Sequence, residues 1–190
     1  MSADLDGRRS ALQRVFLVGF MGSGKSSVGR RLATVLGWRF LDFDEAVAAE
    51  EGLSVPDIFR TLGEAHFRRA EARIGRRLLS QERVVLASGG GWGAVPGRLD
   101  EVPPGTETFW LRVSPEEAVR RASDGHDERP LLSGGDPLDA ARRLLEARER
   151  QYGRAGSVVD TDGRSVEDVT TEVLAILGRK HPEVTRTEAE

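Results

Sequence analysis

The segment GFMGSGKS, residues 19–26, follows a short apolar run at 15–18 and precedes a stretch with helical spacing of apolar residues. It fits the pattern G-x-x-x-x-G-K-[ST] in the strand, loop and helix context that this phosphate-binding motif requires. Glycines let successive backbone N–H groups turn toward phosphate oxygens, and the helix start presents the positive end of its dipole to them. The residues expected to bind nucleotide phosphates are Gly22, Ser23, Gly24, Lys25, Ser26 and Ser27.

The lysine of this segment stands out against the composition of the chain. Of 28 basic residues only Lys25 and Lys180 are lysines, and all the others are arginines. A lysine kept at position 25 indicates a site that suits a compact ammonium group better than a planar guanidinium. We expect Lys25 to bridge the outer phosphates and to act in catalysis, and we expect the hydroxyl group of Ser26 to bind Mg²⁺.

Composition excludes several classes of function. The chain has 190 residues, the size of one domain, and its formal charge of −3 shows no excess of positive charge for a nucleic-acid partner. The absence of cysteine excludes disulfides, thiolate metal sites and cysteine nucleophiles. No long apolar run indicates a membrane span, and no hydrophobic stripe demands a partner. We therefore expect a cytoplasmic monomer that acts on a small molecule.

Short β-branched runs alternate with helical patterns along the chain. Strands are expected at 15–18, 39–43, 84–87, 108–113 and 157–161. Helix starts are indicated at Ser54, Ser114 and Asp136, and a final helix at 165–177 is expected to stop near Gly178. This alternation predicts an α/β fold of three layers, in which a five-stranded parallel sheet is flanked by helices. Ligands of such sheets bind beyond the carboxyl ends of the strands.

The domain organisation follows from the same patterns. We expect a single domain at 12–179, with flexible tails at 1–11 and 180–190. The polar, glycine-containing segment at about 123–135 lies between two predicted helices, which is typical of a mobile lid.

Two carboxylates follow the second predicted strand. Asp42 and Asp44 lie two residues apart, so an extended chain places both on one face. One could hold the Mg²⁺ shell while the other orients an acceptor hydroxyl group and takes its proton. No lysine lies between Lys25 and Lys180 to form a guanine-reading N-K-x-D motif, and the third strand ends in Ser88 rather than in the aspartate of a hydrolytic ATPase. These features favour a kinase.

At this point the sequence resembles the shikimate kinases over roughly residues 14–177. The resemblance lies in the order of its motifs, which are GFMGSGKS at 19–26 with GRRLA at 29–33, LDFD at 41–44, IF at 58–59, GEAHFR at 63–68, GGG at 89–91, RPLL at 129–132, and Arg148 followed by Tyr152. It implies a P-loop kinase that uses ATP and Mg²⁺ to phosphorylate the 3-hydroxyl group of shikimate, in the route to chorismate and the aromatic amino acids.

The resemblance also implies roles for individual residues. Asp44 would bind the 3-hydroxyl group and act as the base, and Asp42 would contact the Mg²⁺ shell through water. Arg129 would reach the ATP phosphates from the lid, and Arg121 and Arg164 would lie near the adenine. Arg68 and Arg148 would clamp the carboxylate of the substrate. The backbone of Gly89, Gly90 and Gly91 would line the substrate pocket.

One departure from the family pattern leaves alternatives open. Trp92 follows the glycine triplet, and an indole so close to the expected pocket could change the acceptor. The alternatives are a kinase for another small hydroxy acid such as gluconate, and a nucleotide-binding regulator that has lost catalysis. A regulator would lack one of Lys25, Asp44 or Arg129, and all three are present.

Overall fold

In the computed structural model, residues 11–124 and 136–183 are described. Five parallel strands form one sheet. The strands are β1 (Arg14–Val18), β2 (Arg39–Asp42), β3 (Val84–Ala87), β4 (Thr106–Arg112) and β5 (Ser157–Asp160). Their order across the sheet is β2-β3-β1-β4-β5, so the strand that precedes the glycine-rich loop lies at the centre. The predicted five-stranded parallel sheet is confirmed.

The connections between the strands are helical. The helices are α1 (Lys25–Leu36), α2 (Phe43–Glu51), α3 (Val55–Thr61), α4 (Glu64–Leu79), α5 (Pro115–Asp124), α6 (Pro137–Tyr152) and α7 (Val166–Lys180). Their ends carry the predicted signals: Ser54 caps α3, Asp136 caps α6, and Gly37 ends α1 in a left-handed conformation with φ of 61°. Local capping therefore sets most of these boundaries.

Helices cover both faces of the sheet. On one face α1 and α7 pack against the side chains of Leu17, Val85 and Phe109. On the other face, helices α2 to α6 contribute to a larger core that contains Phe16 and Leu86. Side chains of β1 and β4 alternate between the two cores, as the period of an extended chain requires. The predicted three-layer arrangement is thus observed.

Several boundaries differ from the sequence-based expectation, most clearly the ends of β2 and α7. The second strand ends at Asp42, because Asp42 caps a helix that begins at Phe43 and that the sequence did not indicate. Helix α7 continues through Gly178 to Lys180, whose ammonium donates to Gly156 O at 3.1 Å and to Ser157 Oγ at 2.9 Å. These tertiary contacts outweigh the cost of about 1 kcal/mol for a glycine inside a helix.

Some predicted regions fall outside the described residues. These are positions 1–10, 125–135 and 184–190, which include Arg129 and most of the expected lid. Ser123 and Asp124, where the lid was expected to begin, still belong to α5. Within the part of the chain that the structure describes, no helix combines the length and the apolar character needed to cross a membrane.

Candidate active site

The glycine-rich loop connects β1 to α1 at the centre of the sheet. Gly24 adopts a left-handed conformation with φ of 84°, which turns the chain into the first turn of α1. Lys25 folds back over the loop, and its ammonium donates to Gly19 O at 3.0 Å and Phe20 O at 2.9 Å. The loop therefore holds a buried positive charge beside the helix N-terminus, where nucleotide phosphates are expected to bind.

Ser26 and Asp42 bring two oxygen ligands together from different elements. Ser26 Oγ donates to Asp42 Oδ2 at 2.6 Å, while Asp42 Oδ1 accepts from the amides of Asp44 at 2.9 Å and Glu45 at 3.4 Å. A hydroxyl group and a carboxylate beside a phosphate site fit Mg²⁺, which prefers oxygen ligands and retains several waters. Across residues 11–124 and 136–183, no group of three or more acidic or histidine side chains is arranged so that it could hold a metal ion by itself.

Asp44 lies in the first turn of α2, not on the strand as predicted from the two-residue spacing. Its Oδ1 atom is buried and has no hydrogen-bond partner within the described residues. Burial raises the pKa of Asp44 to about 7, with further increases from the charges of Glu71 and Asp42, while Lys25 and Arg68 lower it. A carboxyl group that titrates near neutral pH is suited to accepting a proton.

The glycine triplet after β3 allows charged side chains to approach the backbone. A Cβ atom at Gly89 would overlap the carboxylates of Asp44 and Glu71, and one at Gly91 would overlap the guanidinium of Arg68. No residue other than glycine fits these two positions without displacing the charged groups. The triplet thus lies at the meeting point of the acidic and basic side chains.

Two of the guanidinium groups that line the cavity, those of Arg68 and Arg148, lie near the glycine triplet. Arg68 donates to Glu71 Oε2 at 2.9 Å and, through Nη2, to Glu64 Oε1 at 3.1 Å. Arg148 donates to Gly90 O at 3.1 Å. Glu71 is buried, and burial raises its pKa against the opposing charge of Arg68. Glu71, one helical turn after Arg68, is thus placed to hold that guanidinium in position.

These groups surround a cavity of about 670 Å³. The expected site residues that line it are Gly22, Gly24, Lys25, Ser26, Ser27, Asp42, Asp44, Arg68, Gly90, Gly91, Arg121 and Arg148. Ser23 and Gly89 are buried and do not line the cavity, and Arg164 does not line it either. The cavity therefore joins the expected nucleotide and acceptor sites.

Arg121 and Arg164 differ in what they contact. Arg121 donates to Gly22 O at 3.0 Å and to Thr161 O at 2.6 Å, so it connects the glycine-rich loop to the end of β5. Arg164 donates to Asp160 O at 3.0 Å and to Asp168 O at 3.1 Å, which ties it to the start of α7. Of the two arginines expected near the adenine, only Arg121 contacts the nucleotide loop.

Trp92 points away from the cavity. Its indole is 2% exposed and packs edge-on against Phe16 at 5.2 Å and Phe43 at 5.6 Å between ring centroids. The residue is not among those that line the cavity. The indole therefore does not form part of the cavity wall, and its position gives no argument for a different acceptor.

The structure adds wall residues that were not among the expected site residues. Their common feature is that they come from the glycine-rich loop, from α3 and α4, or from the end of β3, and they are Met21, Val55, Pro56, Phe59, Phe67 and Ser88. The apolar ones follow the same periodicity as core residues, so only tertiary contacts separate the two roles. Ser88 Oγ is buried and has no hydrogen-bond partner in the described residues, which leaves it available to a ligand.

A phosphate-binding loop at the centre of a parallel sheet, opposite a cavity with a buried carboxyl group and two guanidiniums, defines a P-loop kinase of small molecules. A family model described as shikimate kinase matches residues 21–178. The chain belongs to the shikimate kinase family.

Similar proteins agree with this assignment. A shikimate kinase of Synechococcus sp. (strain RCC307) is 40% identical over 168 residues, covering 88% of this chain and 86% of the relative. The structure of shikimate kinase from Acinetobacter baumannii in complex with shikimate is 32% identical with a TM-score of 0.83, over 89% of this chain and 94% of that one. A gluconokinase from Sinorhizobium meliloti 1021, at 23% identity and a TM-score of 0.60, covers 95% of this chain and 99% of its own and shares the fold alone.

Proposed function

We propose that the protein transfers the terminal phosphoryl group of ATP to the 3-hydroxyl group of shikimate, forming shikimate 3-phosphate on the route to aromatic amino acids. One observation carries the proposal: a single cavity is lined by Lys25 of the glycine-rich loop, by Asp44, and by the guanidiniums of Arg68 and Arg148. Membership of the shikimate kinase family supports the choice of acceptor.

On the donor side, the phosphates would bind the amides of residues 22–27. Lys25 would exchange the carbonyls of Gly19 and Phe20 for phosphate oxygens, which needs only a rotation of a side chain that is already in place. Bound Mg²⁺ would be held by Ser26 and, through water, by Asp42, and it would neutralise charge on the phosphates. Arg129, outside the described residues, is proposed as the lid arginine.

On the acceptor side, Arg68 and Arg148 would bind the carboxylate of shikimate, since guanidinium groups match carboxylates in bidentate geometry. The 3-hydroxyl group would then lie beside Asp44. Its oxygen forms a bond to the γ-phosphorus, the bond from that phosphorus to the bridging oxygen of ADP breaks, and the hydroxyl proton passes to the Asp44 carboxylate. Asp44 must be ionised for this step, and the charges of Lys25 and Arg68 favour that form.

The proposal includes a cytoplasmic enzyme that acts as a single chain. Among the described residues, Lys25, Ser26, Asp42, Asp44, Arg68 and Arg148 all lie on one chain around one cavity, which supports a site built by a single chain. Sedimentation of the purified protein tests this, and a monomer is expected; a dimer that loses activity on dissociation would contradict it.

The acceptor assignment is tested by ADP release with ATP and Mg²⁺ over a panel of shikimate, quinate and gluconate. We expect turnover with shikimate, and its loss in Asp44→Asn, while Asp139→Asn on the exposed side of α6 stays active. Turnover of gluconate without turnover of shikimate would refute the acceptor. Tight ATP binding with no acceptor-dependent turnover would instead support the non-catalytic regulator.

A further inference from the structure

The single tyrosine of the chain, Tyr152, lies beside the acceptor site but does not line the cavity. It is the last residue of α6, it is fully buried, and its ring packs 6.1 Å from that of Trp110. Its hydroxyl group donates a hydrogen bond to the carbonyl of Gly90. Burial raises the pKa of Tyr152 to about 12, against the opposing charge of Arg148, so the phenol remains a neutral donor at working pH.

The carbonyl of Gly90 accepts from a second donor on the same helix. Arg148, one turn before Tyr152, donates to it through Nη1 at 3.1 Å. The two donors differ in their surroundings, because Arg148 lines the cavity whereas Tyr152 is enclosed by the core. A carbonyl oxygen has two lone pairs and can accept from both donors at once.

This arrangement has a consequence for ligand binding. A guanidinium has five N–H groups and uses two of them to bind a carboxylate in bidentate geometry. Where one of the two is the Nη1 N–H that donates to Gly90, Arg148 has to turn that group away from the carbonyl. If Arg148 were the only donor, its departure would leave a carbonyl without a partner next to the core, and that penalty would weaken ligand binding. The hydroxyl group of Tyr152 removes the penalty because it stays on the carbonyl.

We propose that Tyr152 is a positioning residue that frees Arg148 for the acceptor carboxylate, by keeping the carbonyl of Gly90 hydrogen-bonded while the guanidinium turns into the cavity. The inference rests on the proposed function, in which Arg148 binds that carboxylate. Tyr152 does not touch the reacting atoms. Its effect appears in acceptor binding and not in the chemical step.

The first test is steady-state kinetics of Tyr152→Phe, which retains the ring and removes only the hydroxyl group. We expect the KM for shikimate to rise about tenfold, while kcat and the KM for ATP stay within about twofold of the wild type. The matched control is Thr170→Val, because the buried hydroxyl group of Thr170 also donates to a carbonyl, that of Val166 at 2.7 Å, but far from the cavity. This control is expected to leave the KM for shikimate unchanged.

A second acceptor separates positioning from a general loss of packing. In the analogue of shikimate whose carboxylate is replaced by a hydroxymethyl group, Arg148 has no carboxylate to bind. The ratio of KM between Tyr152→Phe and the wild type is expected to fall close to one with this analogue. An equal rise for both acceptors, or no rise for shikimate, would overturn the proposal.

A spectroscopic test needs no variant, which matters if Tyr152→Phe does not fold. Because the chain has one tyrosine, ¹³C label at the tyrosine Cζ produces a single resonance. This resonance should shift on addition of shikimate, since the phenol becomes the main donor to Gly90, and it should not shift with the hydroxymethyl analogue or with ADP. An unchanged resonance on shikimate binding would refute the role of Tyr152. Absence of wild-type turnover with shikimate would instead refute the proposed function itself.

Discussion

The glycine-rich loop at residues 19–26 and the acceptor half of the cavity differ in how their polar atoms are hydrogen-bonded. The acceptor half is defined by Asp44, Arg68, Glu71, Gly89 to Gly91 and Arg148. In the loop, one contiguous segment supplies both partners, since Lys25 binds carbonyls five and six residues before it. In the acceptor half, the partners come from four elements, and Asp44 Oδ1 and Glu71 Oε1 are buried without hydrogen-bond partners among the described residues.

Because of this difference, the loop and the acceptor half contribute differently to the free energy of the ligand-free folded protein. A loop whose backbone binds its own lysine can be stable without a ligand. Buried carboxylate oxygens without partners raise the free energy of the folded state, and a hydroxylated acid between Asp44 and the guanidiniums would relieve part of that cost. Substitutions in the two halves should therefore differ in their effects on binding, turnover and stability.

Apart from the loss of turnover in Asp44→Asn, the largest expected effect is on the donor side. Lys25→Met should lower kcat/KM by about 10³-fold, because a preorganised charge on the transferring phosphoryl group is lost. Calorimetry should show weaker binding of ADP and unchanged binding of shikimate. Lys180→Met, which removes the only other lysine, is the control and should stay within about twofold of the wild type. Loss of shikimate binding in Lys25→Met would show that the two halves are not separable.

Arg68→Ala should produce the next largest effect, on the acceptor side alone. The KM for shikimate should rise about 100-fold, because a charged hydrogen-bonding partner of the carboxylate is removed and Glu71 is left buried without its counter-charge. The KM for ATP should stay unchanged. Arg69→Ala, an exposed neighbour on the same helix, provides the comparison. An equal rise of both KM values would argue against a separate acceptor half.

Asp44→Asn should stabilise the empty protein while abolishing turnover. The folded pKa of about 7 exceeds the ordinary value of 3.8, so folded-state ionisation is unfavourable and the stability contribution of Asp44 falls as pH rises between these values. Asparagine cannot ionise, so the free energy of unfolding should increase by as much as about 4 kcal/mol at about pH 8 and by less than half of that at about pH 5. Urea unfolding at both pH values measures the difference.

Asp42→Asn is the matched control for this stability test. Asp42 differs from Asp44 in that its carboxylate accepts hydrogen bonds from Ser26 and from two amides of α2. The Asp42→Asn variant should therefore show no increase in the free energy of unfolding. A gain of equal size in both variants would mean that the unpaired oxygen of Asp44 is not the cause.

The smallest expected effect distinguishes the two carboxylates that hold Arg68. Glu71→Gln should raise the KM for shikimate about tenfold, because Glu71 is buried and its ion pair with Arg68 is shielded from water. Glu64→Gln should change it by less than about twofold, because Glu64 is 53% exposed. Equal effects of the two substitutions would contradict the assignment of Glu71 as the residue that fixes the guanidinium.

The glycine-rich loop could be predicted from sequence because its functional residues lie next to one another in the chain. Residues 19–26 contain the turn, the lysine and the hydroxyl group, and their flanking strand and helix are set by neighbours in the chain. The prediction for Asp44 was wrong about its element, since the two-residue spacing was interpreted as strand periodicity. The structure shows a strand that ends in a helix cap, and Asp42 supplies the cap.

Trp92 illustrates the limit of motif-based reasoning. Its position after the glycine triplet indicated a pocket residue, yet its indole fills the space between Phe16 and Phe43. Those rings come from two other segments of the chain, so no local pattern reveals the contact. Phe59 and Phe67 show the opposite case. Their sequence pattern is that of core residues, yet they line the cavity.

The sequence by itself determined the phosphate-binding loop, the parallel α/β architecture and, through the order of its motifs, the family. Tertiary structure alone decided that Asp44 and Glu71 meet across Gly89 and that Tyr152 binds the carbonyl of Gly90. The reason is physical. Capping and turn geometry act over a few residues, whereas burial, charge pairing and shared hydrogen bonds depend on packing between segments that are distant in the chain.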